Sequence, residues 1–174
     1  MALPYLYAAG ISPEVNASGT LTLPANGGSV AVPFFPSALI DVQSITCRTT
    51  DTSLAHTLEV VLYSDGGEGP PMELRGQFQS FTFTATVAAN RTGAMFGPIR
   101  LAAGAVYLIV RNSGVNSTTL ATVPVGNLGG NLAATATIGS SLSANLGAVT
   151  WTPIASVPLI RLNGSIFGLT GGTL

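Results

Sequence analysis

Leu39-Ile40-Asp41-Val42-Gln43-Ser44-Ile45-Thr46-Cys47-Arg48-Thr49-Thr50 is the stretch on which the fold turns. Apolar and polar residues alternate along it, the signature of a half-buried strand. The alternation has a fault. Ile40 and Val42 share one face, whereas Ile45 and Cys47 share the face of opposite parity. With a two-residue period, both pairs cannot point inward on a regular strand. One extra residue near Gln43-Ser44, a β-bulge, restores the phase. The alternative is a strand partly buried on both faces.

Strand signals continue on either side of this stretch. Thr20-Leu21-Thr22-Leu23 alternates and stops at Pro24, and Asn26-Gly27-Gly28 is turn chemistry. Ser29 to Phe35 resumes, with Pro33 arguing for an edge position or a break. Downstream, Leu58, Val60 and Leu62 form an inward row, while Glu59, Val61 and Tyr63 face the other way. Ser64 to Pro71 reads as a loop. Phe81 and Phe83 alternate with threonines in a run from about Gln77 to Val87, and Ile99-Arg100-Leu101 is a short strand. Val106 to Val110 is apolar on both parities, as expected of a central strand covered on two sides. Thr118 to Val125, Leu132 to Ile138 and Ala148 to Thr152 are weaker strands between Gly/Asn/Ser turns. Pro158 to Leu162 and Ser165 to Phe167 close the chain, followed by a glycine-rich tail.

Helical stripes with charged opposite faces are missing. About nine or ten short strands at this spacing predict an all-β chain: an antiparallel, jelly-roll-like β-sandwich. Residues 1–17 read as an extended N-terminal arm and residues 18–174 as one sandwich domain. Residues 112–148 are either extra strands of the sandwich or an excursion from it. A chain of 174 residues is long enough for one domain with a real core.

Charge is scarce. The chain has 6 arginines, no lysine and 7 acidic residues, so only 7% of it is charged, where about a quarter is usual. From Asn112 to Ile160 there is no charged residue. Much of the exterior must then be Ser, Thr, Asn and Gly, or be covered by other protein. A formal net charge of -1 gives no electrostatic case for nucleic acid or an anionic membrane. No apolar run reaches the roughly 18 residues of a membrane span. The N-terminus lacks the basic and apolar regions of a signal peptide. Arginine is the cation suited to buried, bidentate and interface positions. Equally, the six arginines are open to pairing with the chain's own acids.

Candidates for chemistry are few. His56 is the one histidine, and Cys47, the one cysteine, reads as a buried small hydrophobe. Asp41 and Glu59 lie on predicted strands as a conceivable glycosidase pair, but no aromatic sugar platform accompanies them. Asp65-Gly66-Gly67-Glu68 supplies too few oxygens for a calcium loop. We therefore expect no enzyme, no metal and no cofactor.

Val32-Pro33-Phe34-Phe35, then Leu39 to Ile45, then Leu58 to Gly67 with its Tyr63-Ser64-Asp65-Gly66-Gly67 turn, then Leu101 to Val110, follow one another in a recognisable order. Together, over about residues 28–112, they resemble a β-sandwich module of tailed-phage fibre and head-surface proteins. The resemblance implies a virion location, a jelly-roll-like sandwich and trimerisation, and carries over no catalytic residue. A stand-alone module of this size is similar to the small decoration (cement) proteins that stud capsids. The expectation is a homo-oligomer, with a trimer favoured, made in the host cytoplasm. It would bind the major capsid or other virion proteins at the virion surface. The candidate interface residues are Leu3, Tyr5, Tyr7 and Arg161. The alternative is a carbohydrate-binding module of a fibre or spike, with Trp151 as its candidate platform and Tyr63 and Tyr107 as further aromatics, Tyr107 reading as core.

Overall fold

The structure is a computed structural model that describes residues 6–10, 16–34, 39–50, 54–64, 73–77, 81–84, 89–101, 106–124, 133–139, 142, 146 and 148–166. These residues form 14 strands and no helix. They are β1 (Leu6–Gly10), β2 (Gly19–Leu23), β3 (Gly28–Phe34), β4 (Ile40–Thr49), β5 (Ala55–Ser64), β6 (Glu73–Gln77) and β7 (Phe81–Thr84). Then come β8 (Ala89–Leu101), β9 (Val106–Asn112), β10 (Thr118–Pro124), β11 (Ala133–Thr137), β12 (Thr152–Ile154), β13 (Ser156–Pro158) and β14 (Ile160–Ile166). Two antiparallel sheets result. In the first, β1, β14, β4, β10 and β13 follow in order, with β8 on β4 and β2 on β10. In the second the order is β12-β11-β3-β9-β5-β6, with β7 also on β5.

β4 carries the expected bulge. Its pairing with β8 shifts register between Val42 and Ser44, and its pairing with β14 shifts at Asn163/Gly164. Gln43 is the extra residue and is exposed. Ile40, Val42, Ile45 and Cys47 consequently all enter one core, each at most 1% exposed. The partner strands answer the bulge differently. On β14 the accommodation is Gly164, where a Cβ would collide with the carbonyl oxygen of Asp41. On β8 the ladder jumps from Ala94 to Ile99, so Met95 to Pro98 bow outward.

The core lies between the sheets. Val30, Val32 and Phe34 of β3, Leu58, Val60 and Leu62 of β5, and Leu108 and Val110 of β9 meet the β4 row with Leu120, Ile160 and Leu162. Pro33 sits beyond the last β3–β11 pair, Ala31↔Ala134, so β3 is an edge at that point and loses no ladder bond to β11. A second apolar layer covers the outside of the second sheet. Ala31, Val61, Tyr63 and Ile109 pack there under Ile138 and Leu146, flanked by Leu142, Val149 and Trp151. This is why Val106 to Val110 is apolar on both parities. The described residues among 112–148 thus supply two strands, β10 and β11, and part of this covering layer.

Several sequence-based boundaries are corrected. The described residues form 14 strands rather than nine or ten, several of them only three to five residues long. Residues 148–151 are not a strand; they cross the outer layer, and β12 begins at Thr152. β8 begins at Ala89, well before Ile99. Within the expected arm, β1 pairs with β14 of its own chain, from Leu6↔Ser165 to Gly10↔Arg161.

One end of the sandwich is tied by polar groups. The buried Asn112 side chain donates to the carbonyls of Leu23, Pro24 and Asn116 and accepts from the Gly114 amide. Asn26 (φ 57°) and Gly27 (φ 130°) make the β2–β3 turn beside it. Gly27 is required there, because a Cβ would meet the Ile138 carbonyl.

Candidate functional site

The outer face of the first sheet is a hydrogen-bonded polar surface. β14, β4 and β8 bring Arg161, Asn163, Ser44, Thr46 and Thr92 side by side through their register. Arg161 Nε donates to Asn163 Oδ1 at 2.8 Å. Asn163 Nδ2 donates to Ser44 Oγ at 3.1 Å and Thr46 Oγ1 at 3.0 Å, and the Thr46 and Thr92 hydroxyls are 3.0 Å apart. Farther along, Arg100 makes a two-pronged contact to Asp41, at 2.8 and 3.3 Å. The hydrogen bond from Arg100 holds the Asp41 carboxyl below its ordinary value, and the same bond raises Arg100. The pair is solvent-exposed, so it fixes geometry more than it stabilises.

Asp41 and Glu59 do not form a pair with each other. Asp41 is on β4 in the first sheet and Glu59 on β5 in the second. Glu59 Oε2 accepts from Arg111 Nη1 at 2.8 Å. Arg111 lies opposite Glu59 across the ladder, and its Nε donates to the Ile138 carbonyl at 2.7 Å. Through Nη2 it also reaches Gly139. Arg111 therefore clamps the start of the covering layer to the sheet beneath.

The remaining candidates fall as follows. Tyr7 lies on β1 opposite Gly164. Leu3, Tyr5 and the Asp65–Glu68 loop lie outside the described residues. His56 is buried, with Nδ1 3.0 Å from Thr118 Oγ1, and links the start of β5 to β10. Cys47 is buried in the core, where desolvation pushes its thiol up to about 12. Among the described residues no cluster of His, Cys, Asp and Glu is placed to hold a metal. Nor is there among the described residues a helix long and apolar enough to cross a membrane.

Trp151 is partly buried in the outer layer, and its Nε1 is buried without a hydrogen-bond partner among the described residues. Its neighbours Thr150 and Thr152 line a cleft of about 400 Å³, but the indole does not. The cleft opens where β2 of the first sheet and β11 and β12 of the second sheet diverge. Leu21, Leu23 and Ile154 give it apolar walls, with Thr135, Thr137 and Thr152 between them. The sequence did not announce this cleft, since it forms between strands distant along the chain. Nor did it mark Phe96, which is 68% exposed on the bowed part of β8.

Comparison with protein families, with curated proteins and with solved structures finds no match to the chain.

Proposed function

We propose that this chain is a structural protein of a tailed-phage particle, a decoration (cement) or head-surface protein that works by adhesion. The observation that carries the reading is the neutral exterior of the back half. Between Asn112 and Ile160 every exposed position that is described, Val115, Ser117, Pro124, Thr137, Gly139, Ala148, Thr150, Thr152, Pro153 and Ala155, is uncharged. Such a surface makes contacts without desolvating ions and without repulsion between crowded copies. The polar face around Arg161 adds hydrogen-bonding groups already oriented by one another, and Phe96 adds an exposed aromatic of the kind that anchors interfaces. The resemblance over residues 28–112 supplies the virion setting, the jelly-roll connectivity and the trimer. The glycan-binding alternative gains no observation here, because Trp151 is committed to packing.

The test is to add the purified chain to undecorated capsids. Binding that saturates and raises the capsid melting temperature supports the reading; at a hundredfold excess over Kd the gain is about 2.7 kcal/mol per site. Failure to co-sediment, with unchanged melting, overturns it.

A further inference from the structure

The edges of the two sheets are not equally protected. Natural edge strands carry charges, prolines or bulges that prevent another strand from pairing with them. β6 has Glu73 and Arg75, β12 has Pro153, and β8 has Arg91, Arg100 and the bow at 95–98. β8 also packs against β6 and β7, closing that side of the sandwich. β2 has none of these devices. Gly19-Thr20-Leu21-Thr22-Leu23 pairs with β10 on one side, and on the other pairs with no strand among the described residues, the cleft separating it from β11 and β12. Leu21 is only partly buried there and lines the open cleft.

We infer that β2 is a two-fold contact, pairing antiparallel with β2 of a second copy of this chain. A two-fold interface must be self-complementary. Thr20-Leu21-Thr22 reads the same in both directions about Leu21. Centred there, the pairing sets Leu21 against its own copy, Thr20 against Thr22, and Gly19 against Leu23. Leu21 completes its burial at the axis, and the cross-strand contact of Thr22 with Thr119 (3.4 Å) extends into a row of threonines. No like charges meet. The same operation on β6 sets Arg75 against Arg75. On β7, Thr82-Phe83-Thr84 is a similar palindrome, but β8 packs against that side of the sandwich; on β1 the operation sets Leu6 and Tyr7 against Gly10 and Ala9. Backbone hydrogen bonds give the affinity and the side-chain palindrome gives the register. The inference stands on this edge alone, and the two-fold is distinct from the three-fold that the resemblance implies.

Charge placement tests it. Thr20 and Thr22 are exposed, so substitutions there leave the fold intact, as circular dichroism will check. Thr20→Lys with Thr22→Lys places lysine opposite lysine twice, and raises the dimer dissociation constant at least about tenfold. Thr20→Lys with Thr22→Glu places opposite charges across the axis and retains the dimer. Light scattering across a dilution series on the three proteins reads the result. A wild-type monomer, or a mass that the two double variants leave equally unchanged, overturns the inference. Capsid binding is read by co-sedimentation with capsids and self-association by the mass of the free chain, so either can fail without the other.

Discussion

Cys47 and Tyr63 are acids kept in their neutral form by burial on opposite sides of the sandwich wall. Cys47 lies between the sheets and Tyr63 under the outer layer. Burial raises Cys47 from 9.0 to about 12 and Tyr63 from 10.0 to about 12. For a group whose folded value is raised, the contribution to stability is complete below the unfolded value. It is lost as pH climbs toward the folded one. The chain should therefore hold full stability to pH 9, then weaken from pH 9 to 12, first through Cys47 and from pH 10 through both. Inside its window each group subtracts about 1.4 kcal/mol per pH unit. Urea unfolding at stepped pH measures this, and Cys47→Val should delay the onset by removing the thiol. A transition midpoint flat to pH 11 in the wild type would contradict the burial of both groups. Residue identity in the sequence revealed that Cys47 was core, because it continues an apolar row. It did not reveal that Arg111 clamps the covering layer, because the carbonyls it binds, Ile138 and Gly139, lie 27 and 28 positions away.

Elements were legible in proportion to how fully they are buried. β4, β5 and β9 each have a face in the inter-sheet core; the alternation of β4 and β5 could be read directly, even to the phase fault at Gln43, and β9 could be read from its apolar residues on both parities. β6 and β8 are edge strands, whose side chains are not constrained by two neighbours, so the period-two signal fades and Gly97-Pro98 looks like a break. β1 was legible as extended, but not its pairing with β14, since nothing local encodes a partner more than 150 residues on. The bulge makes the sharpest prediction at this scale. Deleting Gln43 forces either Ile40 and Val42 or Ile45 and Cys47 out of the core. The loss of two buried apolar side chains, at about 2–5 kcal/mol for each aliphatic one, is of the order of the whole stability of a domain. The deletion variant should fail to fold, whereas Gln43→Ala, at an exposed position, should shift stability by no more than about 0.5 kcal/mol. Gly164→Ala, which drives a Cβ into Asp41, belongs between them at about 2 kcal/mol. Thermal melts of the three variants order them. A deletion variant that melts like the wild type would mean the register is not pinned by the bulge.

At the scale of the whole molecule, the scarcity of charge has a consequence that differs from ordinary surface recognition. Interfaces held by ion pairs weaken as salt screens them over a Debye length of about 8 Å at physiological ionic strength. Here the unguarded β2 edge, the cleft beside it and the exposed positions between Asn112 and Ile160 contain no ion to screen. Contacts made through them rest on backbone hydrogen bonds, threonine hydroxyls and apolar burial, and burial strengthens slightly when salts are excluded from the surface. Self-association should then be unchanged, or modestly tighter, as sodium chloride rises from about 0.05 to about 0.5 M. The Arg100–Asp41 and Arg111–Glu59 pairs are internal to the chain and do not alter the sign. Sedimentation velocity across the salt series separates the cases. Dissociation on adding salt would place the contact on the arginine-bearing face around Arg161 and Arg100, and would remove β2 and the neutral back half from the interface.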